Sequence, residues 1–214
     1  MCSPDCGRAP PRERERRLAT DADRPDDRLG RRTVLGASAA GVAASLAGCL
    51  GDLPPGDDGA TDPISLADGR DCDVCGMVIE NHPGPTGQLF YDGEGPEGHD
   101  NPARFDSLKQ CLFPYRLERE QLGWDLDAAY VTDYSSVDYE VSAGSDTTTI
   151  SSHTAPESFA RAEDLRYVVN SAVEGAMGPD FVPFSDRADA ESFADEYDGE
   201  VVAYGDIDEG LVGN

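Results

Sequence analysis

The alternation of apolar and polar positions organises the chain from about residue 68 onward. Residues 88–91 alternate weakly and predict a strand, which gives way to a loop through Gly93, Gly95, Pro96 and Gly98. Leu108, Cys111, Leu112, Tyr115 and Leu117 recur at helical spacing behind a possible cap at Asp106 or Ser107, with Pro114 an obstacle inside the pattern. Residues 128–134 are β-branched and aromatic and predict a second strand. A similar order returns later: a strand at 165–170, a loop with a short strand at 176–184, an amphipathic helix at 186–197, and a strand at 200–204.

The pattern predicts an α+β fold of small antiparallel sheets with packed helices. It also predicts a two-fold internal repeat of a ββαβ-like unit, over about 68–138 and 160–210. The Ser-, Thr- and Gly-rich stretch 142–154 reads as a mobile surface loop.

The first 48 residues differ in kind. Arg31 and Arg32 precede an apolar, alanine-rich run over 34–47, which closes on Leu46, Ala47, Gly48 and Cys49. That run is shorter than the ~20 residues that cross a bilayer as a helix, so it reads as the core of an export signal. The paired arginines match a twin-arginine signal, and the small residues before Cys49 match a site at which that cysteine is lipidated and becomes the new N-terminus. Residues 49–67 are rich in Gly, Pro and Asp and read as a flexible tether, which leaves 68–214 as the folded domain. These features place the protein on the outer face of the cytoplasmic membrane, held by a lipid anchor.

Charge narrows the range of partners. The 214 residues carry 43 acidic and 17 basic side chains, a formal net charge of −26. Removal of residues 1–48 would leave eight basic against 36 acidic residues. Such a polyanion has no basic surface with which to displace the counterions of nucleic acid, so nucleic-acid binding is excluded. An acidic surface of this density suits very salty water, the mark of a halophile.

Cysteine usage points to chemistry. After Cys49, the remaining thiols are Cys72, Cys75 and Cys111, an odd number for a purely disulfide-stapled domain in an oxidising compartment. Cys72 and Cys75 are separated by two residues and followed by Gly76 and Met77. The spacing alone allows a redox dithiol, a zinc site or a copper site. A redox dithiol would open a helix, whereas here the chain runs on to His82, Pro83, Gly84 and Pro85; structural zinc would need a second matched pair of ligands. Soft Cu(I), which takes thiolates and thioethers, fits best.

Met177, the other methionine after residue 49, also lies beside glycine in a predicted loop, and it joins Cys72, Cys75 and Met77 as a candidate ligand. His82 is a weaker candidate. His99 and His153 read as solvated loop residues, and Cys111, on the apolar helix face, reads as a small buried hydrophobe. No nucleophile and base stand at a recognisable spacing and no phosphate-cradling glycine loop is present, so nothing in the sequence demands an enzyme.

The run from Cys72 to Gln88, a CxxCGM followed by Glu80 and by Pro83, Gly84 and Pro85, resembles the signature of the NosL family. Further similarity lies at Phe105, Asp106 and Ser107, at 131–134, and at 176–179, so that the resemblance covers about 70–208. It implies a two-fold repeated small α+β fold and a Cu(I)-binding accessory lipoprotein that supplies the copper centres of nitrous oxide reductase. The partner it implies is a copper-dependent reductase or its membrane maturation complex. It also implies lipidation at Cys49 and metal ligation through Cys72, Cys75, Met77 and Met177. The alternative that the motif itself leaves open is a membrane-anchored thiol-disulfide redox protein using Cys72 and Cys75. The chain departs from the family in its Ser/Thr-rich 142–154 segment, in the Gly/Asp-rich loop before Phe105 and in its twin-arginine leader.

Overall fold

The computed structural model describes residues 61–213; the expected export signal, the expected lipidation at Cys49 and the part of the expected tether up to residue 60 lie outside them. The described strands are β1 (Gly87–Asp92), β2 (Ala103–Phe105), β3 (Asp125–Thr132), β4 (Val141–Ala143), β5 (Thr148–Ile150) and β6 (Phe159–Arg161). They continue with β7 (Arg166–Val169), β8 (Val173–Gly175), β9 (Gly178–Pro179), β10 (Val182–Phe184) and β11 (Glu200–Ala203). The helices are α1 (Phe113–Gln121), α2 (Arg187–Glu196) and the short α3 (Glu209–Val212).

The strands form three sheets, ordered β2-β1-β3-β6, β10-β7-β11 and β4-β5-β8-β9. The first two are antiparallel throughout, and in the third only β5 and β8 run parallel, so the class is α+β. In β1-β2-α1-β3 and again in β7-β10-α2-β11, the first strand of the set lies between the other two and antiparallel to both. The third sheet has no counterpart in that pattern.

Strand β7 explains how the layers meet. Tyr167 and Val169 point into the main core with Leu89, Phe105, Leu112 and Phe113, while Val168 points into a second core with Val182, Phe184, Ala190 and Phe193. Alternate residues of a strand face opposite sides, and here both sides are covered, so the run is buried without a polar face. Phe113 at the start of α1 closes the main core, its ring 5.6 Å from Tyr167 and 5.8 Å from Phe181. Asp186 caps α2 by accepting the Ala188 N–H at 2.7 Å, and Tyr197 ends it, as the periodicity predicts.

Pro114 is accommodated rather than avoided. Ser107 caps a π-helical turn, Leu108–Leu112, whose hydroxyl accepts the Gln110 N–H at 3.1 Å. The Leu112 N–H then reaches back to the Ser107 carbonyl at 3.0 Å, and α1 begins with Pro114 in its first turn, where a missing N–H is harmless.

Two expectations are corrected. The stretch 142–154 contains the β4–β5 hairpin, because Thr148, Thr149 and Ile150 suit a strand and Ile150 is buried in the second core. The folded part also begins before residue 68. Leu66 is fully buried and its N–H donates to the Thr154 carbonyl at 2.8 Å, while the Gln88 side-chain amide bonds both backbone groups of Ile64, at 2.9 and 3.0 Å. A segment too polar to fold alone is ordered by partners on β1 and in the loop before β6, which its own composition does not reveal.

Candidate metal centre

Three segments converge at one end of the first sheet. The loop 71–78 is closed at its base by an isolated bridge between Asp71 and Val78. Inside it the Cys72 N–H donates to the Met77 carbonyl at 2.8 Å and the Gly76 N–H to the Cys72 carbonyl at 2.9 Å. The reversal between the cysteines and Met77 requires φ of +74° at Gly76, a conformation that strains any residue with a Cβ. Asp73 fastens the loop to β2: its N–H donates to the Arg104 carbonyl at 2.9 Å and its Oδ2 accepts the Arg104 N–H at 2.6 Å.

Asp106 follows directly on β2, and Cys111 lies in the π-helical turn beyond it. The ligand atoms of Cys72, Cys75, Asp106 and Cys111 all lie within 4.8 Å of one another. The Cys75 thiol donates to the Asp106 carboxylate at 3.3 and 3.4 Å, and the Cys111 thiol lies 3.6 Å from Asp106 Oδ1. Met177 arrives from the two-residue turn between β8 and β9, with its Sδ 3.6 Å from Cys111 Sγ. That hairpin is braced against the helix start by Asp180, whose Oδ1 accepts the Leu108 and Lys109 N–H groups at 3.1 and 2.8 Å. A Cβ on Gly175, at the end of β8, would meet Asp180 Oδ2 at 2.6 Å, so only glycine fits there.

The three thiols are free and unequal in acidity. Cys72 is pulled down to about 7 by a hydrogen bond from the Cys111 thiol, against burial and with help from the backbone N–H groups of Cys75, Asp106 and Val74. Cys75 is pushed up to about 12, chiefly by burial, with the Cys72 sulfur and the Asp106 carboxylate acting in the same direction. Cys111 is raised because its proton is held by Cys72 and because it is buried beside that negative charge. One thiolate is therefore ready, and two further protons leave when a cation takes their place.

Sulfur atoms bound to one ion at about 2.3 Å lie roughly 3.8–4.0 Å apart, so this cluster needs only a small contraction to hold a soft cation. Cys72 and Cys111 are sealed inside, at 3% and 0% exposure, whereas Met177 is 43% exposed and Cys75 is half-buried.

Of the residues proposed from sequence, the fold brings Cys72, Cys75 and Met177 together. Met77 contributes backbone, its carbonyl to Cys72 and its N–H to the Cys75 sulfur. His82 ends the turn Ile79–Asn81, outside the cluster of His, Cys, Asp and Glu ligand atoms. Cys111 is a correction: it is buried, as its helical position implies, but its sulfur faces the other thiols instead of only filling space. Asp106 was legible only as a helix cap. The signal that points to Cys111 is the odd thiol count.

The sequence matches the NosL family model over residues 63–212. It is 27% identical over 161 residues to the copper-binding lipoprotein NosL of Stutzerimonas stutzeri, spanning 71% of this chain and 68% of that protein. Against the copper-binding lipoprotein NosL of Achromobacter cycloclastes it is 32% identical over 139 residues, spanning 64% of this chain and 63% of the relative. The crystal structure of the copper chaperone NosL from Shewanella denitrificans superposes with a TM-score of 0.56 at 26% identity, covering 70% of this chain and 97% of that one.

Proposed function

This chain belongs to the NosL family, and we propose that it is an exported lipoprotein which binds Cu(I) and passes it to a copper enzyme, with nitrous oxide reductase the recipient. The observation that carries the reading is the convergence of three thiols within 4.8 Å, with the Met177 thioether 3.6 Å from one of them. Soft donors in that number select a soft ion over the hard cations that carboxylates alone would take. Cu(I) is here a cargo. Cys72, already close to its thiolate form, makes the first bond, and Cys75 and Cys111 follow as they lose their protons.

The names of the relatives and the pattern ending at Cys49 support a lipid anchor there, after export by the twin-arginine route. The anchor would hold the domain at the outer face of the cytoplasmic membrane, where a copper-dependent reductase or its membrane maturation complex would receive the metal. An anaerobic titration of the full chain with Cu(I) against a competing chelator tests the reading. One tightly held ion, lost when Cys72 and Cys75 are changed to serine, supports it; no binding tighter than the chelator sinks it.

The lowered pKa of Cys72 favours one rival, a thiol-disulfide protein acting through Cys72 and Cys75. Titrating free thiols against redox potential separates the two. A redox protein cycles without metal and is indifferent to Met177, whereas a copper carrier loses affinity when either thiol is oxidised.

A further inference from the structure

Eight basic residues stand against 36 acidic ones after residue 48, so an arginine without a carboxylate partner is conspicuous. Arg119, Arg161 and Arg187 each pair with a glutamate, at 3.4, 3.6 and 2.7 Å. Arg116 stacks on Tyr204 and donates to that tyrosine's hydroxyl and to the Ile207 carbonyl. Arg166 donates to a backbone carbonyl. Arg70 and Arg104 do neither: among the described residues no carboxylate lies within ion-pair distance of either guanidinium, and their buried Nε atoms, like those of Arg116 and Arg119, have no acceptor.

Those two arginines line the same cavity, of about 300 Å³. Its walls are fixed independently of them. Ile64 is held on both backbone groups by the Gln88 side chain. The Asn101 amide donates to the Tyr91 and Glu94 carbonyls at 2.8 and 3.0 Å. His99 is clamped between Asp73 Oδ1 at 2.8 Å and the Asp100 carbonyl at 2.7 Å. Asp100 also faces the cavity, yet it is solvent-exposed and pairs with neither arginine. Two half-buried guanidiniums with no carboxylate partner and a buried Nε, in a preformed hollow, are a receptor for an oxyanion, because the planar fork donates two parallel hydrogen bonds to a phosphate or carboxylate. The volume is at the lower end of ligand pockets, larger than a bare ion needs and suited to a small ester.

We propose that Arg70 and Arg104 form a binding site for a phosphoryl oxyanion, distinct from the metal centre and taken either from a soluble phosphate or from a phospholipid headgroup. The site is one strand-like pairing away from the thiols, since Asp73, which bonds His99 and the Arg104 backbone, sits between Cys72 and Cys75. No residue of the cavity contributes a donor to the metal cluster, so the two sites can be tested apart.

The test uses the full chain, metal-free and reduced, in low-chloride buffer. Inorganic phosphate and glycerol phosphate are titrated calorimetrically, and co-sedimentation is measured with phosphatidylglycerol vesicles against phosphatidylcholine vesicles. Binding that weakens by about tenfold or more in Arg70→Gln/Arg104→Gln, and stays unchanged in Arg187→Gln, supports the site. Binding of the soluble esters assigns the source as free phosphate; binding of phosphatidylglycerol vesicles alone assigns it to lipid. The inference is overturned if the wild type binds none of these probes, or if the double variant binds them as well. Should the double variant not fold, Arg70→Gln alone carries the same comparison, since it is the Arg70 carbonyl, not its side chain, that holds the Ile79 N–H.

Discussion

Asp180 is 2% exposed, and its Oδ1 accepts three backbone N–H groups, those of Leu108, Lys109 and Phe181, at 3.1, 2.8 and 2.8 Å. Its Oδ2 is buried with no partner. Burial outweighs the three N–H groups and the Ser107 hydroxyl, so the carboxyl is pushed from its ordinary 3.8 up to about 7. The unfolded chain therefore gives up this proton near pH 4 while the native protein keeps it until about pH 7. Between those values the native state binds one more proton than the unfolded state, so stability falls as pH rises, by about 1.4 kcal/mol per unit. The contribution is complete below pH 4, has dropped by about 4 kcal/mol once pH passes 7, and is flat beyond.

Asp180→Asn keeps the Oδ1 acceptor and the shape while removing the titration. Urea unfolding of the wild type and the variant, metal-free and reduced at matched ionic strength from pH 4 to pH 8, isolates the effect in the difference between the two curves. General charge repulsion in this acidic chain is nearly common to both and cancels. The variant should gain on the wild type from pH 4 to about pH 7 and gain no more beyond it. Parallel curves would mean that the helix-start N–H groups keep Asp180 ionised, and the argument from burial would be wrong.

Three further outcomes follow from the same geometry. Cys111→Ser should weaken Cu(I) binding in chelator competition about as much as Cys72→Ser does, since both sulfurs stand in the same cluster; an unchanged affinity would return Cys111 to a packing role. His82→Ala should leave that affinity within about twofold, because a side chain outside the cluster gives no bond to lose. Gly84→Ala should lose about 3 kcal/mol in urea unfolding: φ is +107°, and the new Cβ would stand 2.5 Å from the Gly175 Cα on the strand that leads to Met177. A loss below about 1 kcal/mol would show that the two segments separate freely.

The elements were legible where local pattern decides them. Helix α2 could be placed almost to the residue because Asp186 caps it and its apolar face repeats every turn. Strand β7 stood out as an uninterrupted apolar run, although nothing in the run tells that it separates two cores. The Ser/Thr-rich hairpin was missed because composition outweighed the β-branched Thr148, Thr149 and Ile150, and the folding of residues 61–67 was missed because its cause lies in Gln88 and Thr154. The metal centre divides in the same way. Cys72 and Cys75 are neighbours in sequence, so their spacing announces them. Asp106 lies 31 positions beyond Cys75, and Cys111 lies 66 positions from Met177. A thiol on an apolar helix face looks the same whether it meets leucine or another sulfur.

A carrier has to hold its ion and also release it, and the exposure of the donors suggests how both can be met. Cys72 and Cys111 are closed in by the core, so a metal bound between them would be shielded from water and oxidant. Met177 stands on a two-residue turn and is the most exposed of the sulfur donors. A thioether carries no proton and no charge, so an acceptor ligand can displace it without acid-base cost, which makes it the natural first bond to break. Met177→Leu preserves bulk, and at 43% exposure it should change the thermal midpoint by little, within about 0.5 kcal/mol of stability. Met77→Leu is the internal control, since the contacts of Met77 with the cysteines run through its backbone. Chelator competition and the rate of Cu(I) capture should both shift in the Met177 variant, with affinity lower by about tenfold, or 1.4 kcal/mol, and shift less in the Met77 variant. Equal affinities in the wild type and the Met177 variant would mean that the three thiols hold the metal alone, and the route out of the site would have to run through Cys75.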